Sequence, residues 1–164
     1  MNNKFLFALW LVGLISLVAL LFYQPDETGD YLRTPIYDES ADASQQISNA
    51  LVLAKTENKR VLLQFGANWC VWCHVLHHLF DTNRAVRKRI QSNYIVVLVD
   101  VNIGHNESTV EKYGKPTQLG LPVIVILDSD GKQLVTQNVG EFGENAEYSP
   151  PKILAFLDKW ALKN

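Results

Sequence analysis

Sulfur is scarce in this 164-residue chain: two cysteines and one methionine, Met1. Both cysteines fall in one short motif, Cys70-Val71-Trp72-Cys73, so no pair is left over for a structural disulfide. A small scaffold stapled by several bridges is therefore excluded. An excess of charge of either sign is also missing. Seventeen acids against 15 bases leave a net charge of −2, which gives no electrostatic case for nucleic acid or an anionic lipid surface. Internal repeats and low-complexity tracts are absent. What the chain does have is 48% hydrophobic residues, enough for the core of one domain with additional segments.

A more local absence carries an address. No charged residue occurs between Phe5 and Pro25, and the stretch is almost wholly apolar. It is about as long as the ~20 residues needed to span a bilayer. Lys4 and the α-amino group precede it, and Asp26, Glu27 and Asp30 follow it. The positive-inside bias then puts the N-terminus in the cytoplasm and the rest of the chain across the membrane. Residues 1–24 are accordingly expected to form a signal anchor, a single transmembrane helix. The competing reading is a cleaved signal peptide that frees the domain on the far side. Against it, the bulky Leu20-Leu21-Phe22-Tyr23-Gln24 end offers no small-x-small cleavage site. Residues 25–42 are polar and read as a linker, from which Tyr31, Leu32, Ile36 and Tyr37 could still pack on the domain.

From residue 43 the apolar pattern alternates between two periods. Ile47, Ala50, Leu51 and Ala54 mark one face of a helix over residues 43–58, with Asp42 or Ser44 as cap. Residues 60–65 and 94–101 read as buried strands, residues 83–91 as a helix whose basic residues form a solvated face, and residues 107–113 as a short helix. Residues 121–127 and 133–139 read as two more strands joined by an Asp-Ser-Asp-Gly turn. Pro150-Pro151 opens a last helix, where the missing N–H of proline costs nothing.

The dithiol lies where a strand hands over to a helix. Amide N–H groups and the helix dipole aimed at the first sulfur favour its thiolate, which makes Cys70 the nucleophile. Cys73, one turn on, can attack a mixed disulfide and release the product. Trp69 and Trp72 read as an apolar docking rim around the pair, or as plain surface aromatics. Pro122 reads as a cis-proline opening a strand, or as an ordinary edge proline. Asp100 reads as a turn acid that could also reach the dithiol as a base.

Several motifs in order resemble the thioredoxin superfamily over residues 43–164. Phe65-Gly66-Ala67-Asn68-Trp69-Cys70-Val71-Trp72-Cys73 is similar to its active-site segment. Lys112-Tyr113-Gly114 followed by Gly120-Leu121-Pro122 resembles the approach to its cis-proline, and Val139-Gly140 its glycine turn before the last helix. The resemblance implies an α/β fold, a central mixed β-sheet flanked by helices in the order α-β-α-(α)-β-α-β-β-α. It also implies thiol-disulfide exchange with protein substrates, in a form most like small exported proteins of the bacterial envelope. The domain would then face the periplasm, tethered to the inner membrane, with a membrane or periplasmic partner recycling the dithiol. No cofactor is implied beyond the Cys70–Cys73 redox disulfide. Leu121, before the cis-proline, would offer backbone hydrogen bonds to an extended substrate segment.

Departures from the family pattern set further expectations. Val71-Trp72 replaces Gly-Pro between the cysteines, so the redox potential does not carry over. Gln64 stands where thioredoxin has a buried acid, and an amide cannot exchange a proton at neutral pH. Deprotonation of Cys73 then needs water or another base. His74, four residues after Cys70, would modulate that thiol. A reductant is favoured over an oxidant or isomerase. Two other chemistries share these residues. Cys70-Val71-Trp72-Cys73-His74 spells a c-type haem attachment signature, with His77, His78 or His105 as distal ligand. Cys70 and Cys73 with His74, His77 and His78 would suit zinc or copper in a metal-binding or chaperone module.

Overall fold

In β1 (Arg60–Gly66), six of seven positions are buried, as an apolar run in the middle of a sheet requires. It lies between β2 (Tyr94–Asp100) and β3 (Val123–Leu127), and β4 (Gln133–Asn138) closes the order β2-β1-β3-β4. The pairing of β1 with β2 is parallel, with Val61 beside Ile95 and Gly66 beside Asp100. The β1–β3 and β3–β4 pairings are antiparallel, so the sheet is mixed. This computed structural model describes residues 30–144 and 147–162. The anchor expected over residues 1–24 lies outside the described residues. Among those described, no helix is long and apolar enough to cross a membrane.

Side chains alternate across β1 and divide the core in two. Val61, Leu63 and Phe65 meet Ile47, Ala50 and Ala54 of α1 (Ala43–Glu57). Leu62 faces the opposite layer, where Leu76 and Phe80 of α2 (Val71–Thr82) pack with α3 (Arg84–Asn93) and α5 (Pro150–Trp160). The α2–α3 segment is the crossover that a parallel β1–β2 pair demands. Helix starts follow their caps. Asp42 accepts from Ser44 N and Gln45 N at the head of α1, and Asn83 accepts from Ala85 N and Val86 N at the head of α3. A short α4 (Glu107–Lys112) and a 3₁₀ turn (Pro116–Leu119) lead to β3. Before the last helix, two short strands pair antiparallel, β5 (Gly143–Glu144) with β6 (Glu147–Tyr148).

The Asn68 side chain holds the middle of the lead-in to the domain. Asn68 Oδ1 accepts from Ile36 N and Tyr37 N at 2.9 Å each. Its Nδ2 donates to Tyr37 O and to Glu39 Oε1, both at 3.0 Å. Tyr37 is thereby buried to 3% exposure beside the cysteines. Replacing Asn68 with Ala leaves these backbone groups without partners, each costing about 1–3 kcal/mol if still buried. We expect Asn68→Ala to speed amide exchange at Ile36 and Tyr37 by at least about tenfold, which corresponds to ~1.4 kcal/mol. Protection in β1 and β3 should stay unchanged. Equal acceleration throughout the sheet would mean that Asn68 supports the whole fold and not the lead-in.

Candidate active site

The chain leaves the sheet at Gly66, makes one turn, and enters α2 with Cys70 as its N-cap in extended backbone geometry. The Cys70 sulfur occupies the capping position and accepts the Cys73 N–H at 3.3 Å. Its carbonyl accepts from Cys73 N at 3.0 Å and His74 N at 3.3 Å. A sulfur placed there feels the positive end of the helix and an amide donor, and both favour its thiolate on reduction. Cys70 and Cys73 are joined as a disulfide with Cα atoms 5.3 Å apart. Cys70 retains 6% exposure and Cys73 none, so an incoming partner meets Cys70 first.

Around that opening the surface is apolar. Trp69, Val71 and Trp72 are exposed. Trp69 donates its Nε1–H to Asn102 Oδ1 at 3.2 Å, and Trp72 sets its ring edge against Tyr148 at 5.6 Å. The Leu121–Pro122 bond is cis, as the sequence suggested, and Leu121 packs against the cysteine pair. Trp72, Leu121, Pro122, Val139, Gly140 and Tyr148 line a groove of about 300 Å³ beside the disulfide. Tyr148 belongs to the β5–β6 hairpin and was not singled out in the sequence. Burial pushes its phenol up to about 12, so it stays neutral while lining the groove.

Beneath the disulfide lies a second, buried group of polar residues. Gln64 is fully buried, donates Nε2–H to the Tyr37 hydroxyl at 2.7 Å, and reaches Cys73 O at 3.4 Å. A Cβ built on Gly66 would collide with the Tyr37 hydroxyl and come 2.6 Å from Cys73 Sγ, so glycine keeps that space for both atoms. Burial drives the Tyr37 phenol far above its ordinary range. The Gln64 hydrogen bond opposes this, and the charge of Asp100 adds to it. Asp100 is buried at the end of β2, with Oδ2 bonded to His105 Nδ1 at 2.7 Å. Tyr37 was read in the sequence only as a packing residue, and no local pattern marks it as part of this group.

His74 is also buried, but its ring nitrogens lie 3.1 Å from Tyr31 O and 2.8 Å from Asn68 O, not on a cysteine sulfur. It fastens the lead-in and the active-site turn to α2. The other histidines of the helix have separate partners. His77 sits 3.4 Å from Asp81, and His78 stacks on Tyr31. Burial lowers the His77 pKa while Asp81 opposes that shift. Among the described residues, no three His, Cys, Asp or Glu side chains converge as a metal site.

Comparison with known proteins agrees with this geometry. A thioredoxin-like family model matches residues 42–129, just over half the chain. The thiol:disulfide interchange protein DsbD of Actinobacillus pleuropneumoniae is 30% identical over 98 residues, covering 58% of this chain and 16% of that protein. The protein of the same name from Vibrio cholerae is 24% identical over 153 residues, covering 86% of this chain and 25% of that protein. The chain thus spans a quarter or less of the length of these curated relatives. Among solved structures, a disulphide isomerase from Xylella fastidiosa is 36% identical, with a TM-score of 0.68 over 77% of this chain and 96% of that one. A Thermus thermophilus thioredoxin, 17% identical with a TM-score of 0.52 over 68% of this chain and 81% of that one, shares the fold. The chain therefore belongs to the thioredoxin-like family, with its cysteine pair at Cys70 and Cys73.

Proposed function

We propose that the protein reduces disulfides in protein substrates of the bacterial envelope, with Cys70 as nucleophile and Cys73 as resolving thiol. The observation that carries this reading is the Cys70 sulfur at the N-cap of α2, the more exposed of the pair, beside the cis-proline groove. In the first step, Cys70 Sγ attacks a substrate disulfide and one substrate sulfur leaves as a thiolate. In the second, Cys73 Sγ attacks Cys70 Sγ, breaking the mixed disulfide and releasing the other substrate sulfur. The substrate gains two electrons, and the cysteine pair loses two by forming its disulfide. No further cofactor enters. A membrane or periplasmic dithiol partner then restores the reduced pair.

Trp69 and Trp72 form the apolar rim on which a substrate docks. An extended substrate segment lies along Leu121 and Pro122 in the groove, with the backbone of Leu121 as its hydrogen-bonding edge. Gln64 and His74 modulate the pair from below and behind. Reduction is favoured because, among the described residues, the helix terminus is what stabilises the Cys70 thiolate. His74, four residues after Cys70, has its ring nitrogens at backbone carbonyls and not at a sulfur. An isomerase is the second reading, favoured by the 36% identity to a protein described as a disulphide isomerase. The metal-carrier alternative finds less support, since the histidines are engaged elsewhere. The location rests on the uncharged apolar stretch from Phe5 to Pro25 and the charges that flank it.

In the reduced protein, Cys70 should alkylate faster than Cys73, with an apparent pKa below the ~8.5 of a free thiol. Cys73→Ser should accumulate mixed disulfides on Cys70, whereas Cys70→Ser should accumulate none. Faster labelling of Cys73, or no trapping by Cys73→Ser, overturns the roles assigned. Redox titration of the pair decides direction. A potential near the roughly −270 mV of thioredoxin supports the reductant, and one ~100 mV more positive supports the isomerase.

A reporter fused after Asn164 should be active in the periplasm and sediment with membranes. A cytoplasmic reporter refutes export. A soluble chain beginning near residue 25 refutes the anchor.

A further inference from the structure

On the exchange reading of Cys70 and Cys73, closing the disulfide requires Cys73 to lose its proton, because the thiolate is the attacking species. Cys73 has no exposed surface. Gln64, directly beneath it, is an amide and takes up no proton. Tyr37 shares the Gly66 space with Cys73 Sγ, but its phenol is held protonated by burial and so cannot be the base.

His74 is buried as well, but its ring nitrogens face Tyr31 O and Asn68 O, which leaves Asp100 among the described residues. Asp100 is 1% exposed, and its Oδ1 has no hydrogen-bond partner among the described residues. A buried acceptor left unpaired costs about 1–3 kcal/mol and calls for an explanation. Asp100 pairs with Gly66 across the parallel β1–β2 ladder, so the two positions share a face of the sheet. That is the face on which the missing Gly66 Cβ would touch both Tyr37 and Cys73. The other carboxylate oxygen is held by His105 at 2.7 Å and by Asn102 N at 3.2 Å. The His105 side chain is 29% exposed, which gives the buried pair a route to solvent.

We infer that Asp100 is the base that accepts the Cys73 proton during resolution, with Tyr37 positioned between them and His105 returning the proton to solvent. The proton passes from Cys73 Sγ towards Asp100 Oδ1. The Cys73 thiolate then forms its bond to Cys70 Sγ, the Cys70–substrate bond breaks, and the electron pair leaves on the substrate sulfur, which is protonated by solvent. Tyr37 accepts from Gln64 and still has its own proton to give, so it can bridge sulfur and carboxylate without changing charge. The titratable groups facing Asp100 are Tyr37 from the lead-in and His105 after β2, and Cys73 of α2 shares the Gly66 space with Tyr37. Asp38 of the lead-in acts on His105 in turn.

The test is the rate at which a preformed mixed disulfide between Cys70 and a peptide resolves, measured in single turnover across pH in the full chain. Asp100→Asn preserves the shape and is expected to slow resolution near neutral pH by about 100-fold, the range for loss of a general base. Its rate should then climb with pH and approach wild type in alkali, where hydroxide replaces the carboxylate. Alkylation of Cys70 should change less than about twofold, since general-base loss applies to Cys73 alone. His105→Gln, at a half-exposed site, should slow resolution in the same direction by less, and it decides the matter if Asp100→Asn does not fold. A folded Asp100→Asn, or failing that His105→Gln, with wild-type resolution rate and pH profile overturns the inference while leaving exchange intact. If the wild-type mixed disulfide does not resolve at all, the exchange reading itself fails.

Discussion

The reactive end of this domain depends on Gly66 having no side chain. It is the last residue of the central strand, where the sheet, the active-site turn and the lead-in converge, and a methyl group there would meet Tyr37 and Cys73 together. Interiors pack near the density of organic crystals, so one added carbon is not absorbed by slack. Either the phenol leaves or α2 shifts, and with α2 goes the N-cap geometry of Cys70. Strand register therefore fixes the environment of both sulfurs. Gly66 and Asp100 are set side by side by the same ladder that buries Val61 and Leu63, and the helix that follows inherits its origin from them.

The family match begins at residue 42, yet the hydroxyl beside Cys73 comes from residue 37. Asn68 and His74 explain how a segment outside the matched core becomes part of the site. Asn68 holds Ile36, Tyr37 and Glu39, while His74 bridges Tyr31 O and Asn68 O. Four backbone and side-chain partners on one amide overcome the ordering cost of a short segment that could not bury itself. Function and tether thereby share residues, since the turn carrying Asn68 runs directly into Trp69 and Cys70.

Local pattern made most of the scaffold legible. The six buried positions of β1, the caps at Asp42 and Asn83, the prolines opening α5 and the cysteine-bearing turn all follow from neighbours within a few residues. The cis bond at Pro122 was readable because its flanking residues were. What escaped was decided across the fold. Tyr37 looked like one more aromatic in a polar stretch, because its partners Gln64 and Cys73 lie 27 and more residues away. The hairpin around Tyr148 has two-residue strands, too short for alternation to register. His74 has the spacing of a thiol modulator, but its ring is aimed by carbonyls that no sequence pattern places.

An amide at Gln64 makes physical sense once Asp100 is placed. An acid at position 64 would be buried with a phenol and a disulfide for neighbours, and an unpaired buried carboxylate is costly. Glutamine fills the same space, donates to Tyr37 and carries no charge. The charge is moved one strand over, to the end of β2, where the backbone N–H of Asn102 and the ring of His105 meet one carboxylate oxygen. This displacement also changes how the site communicates with water. A carboxylate under the second cysteine would be sealed by α2, whereas Asp100 ends its strand beside a half-exposed imidazole. The chain thus keeps a neutral floor beneath the disulfide and sets the buried carboxylate of Asp100 at the margin, in contact with the partly exposed ring of His105.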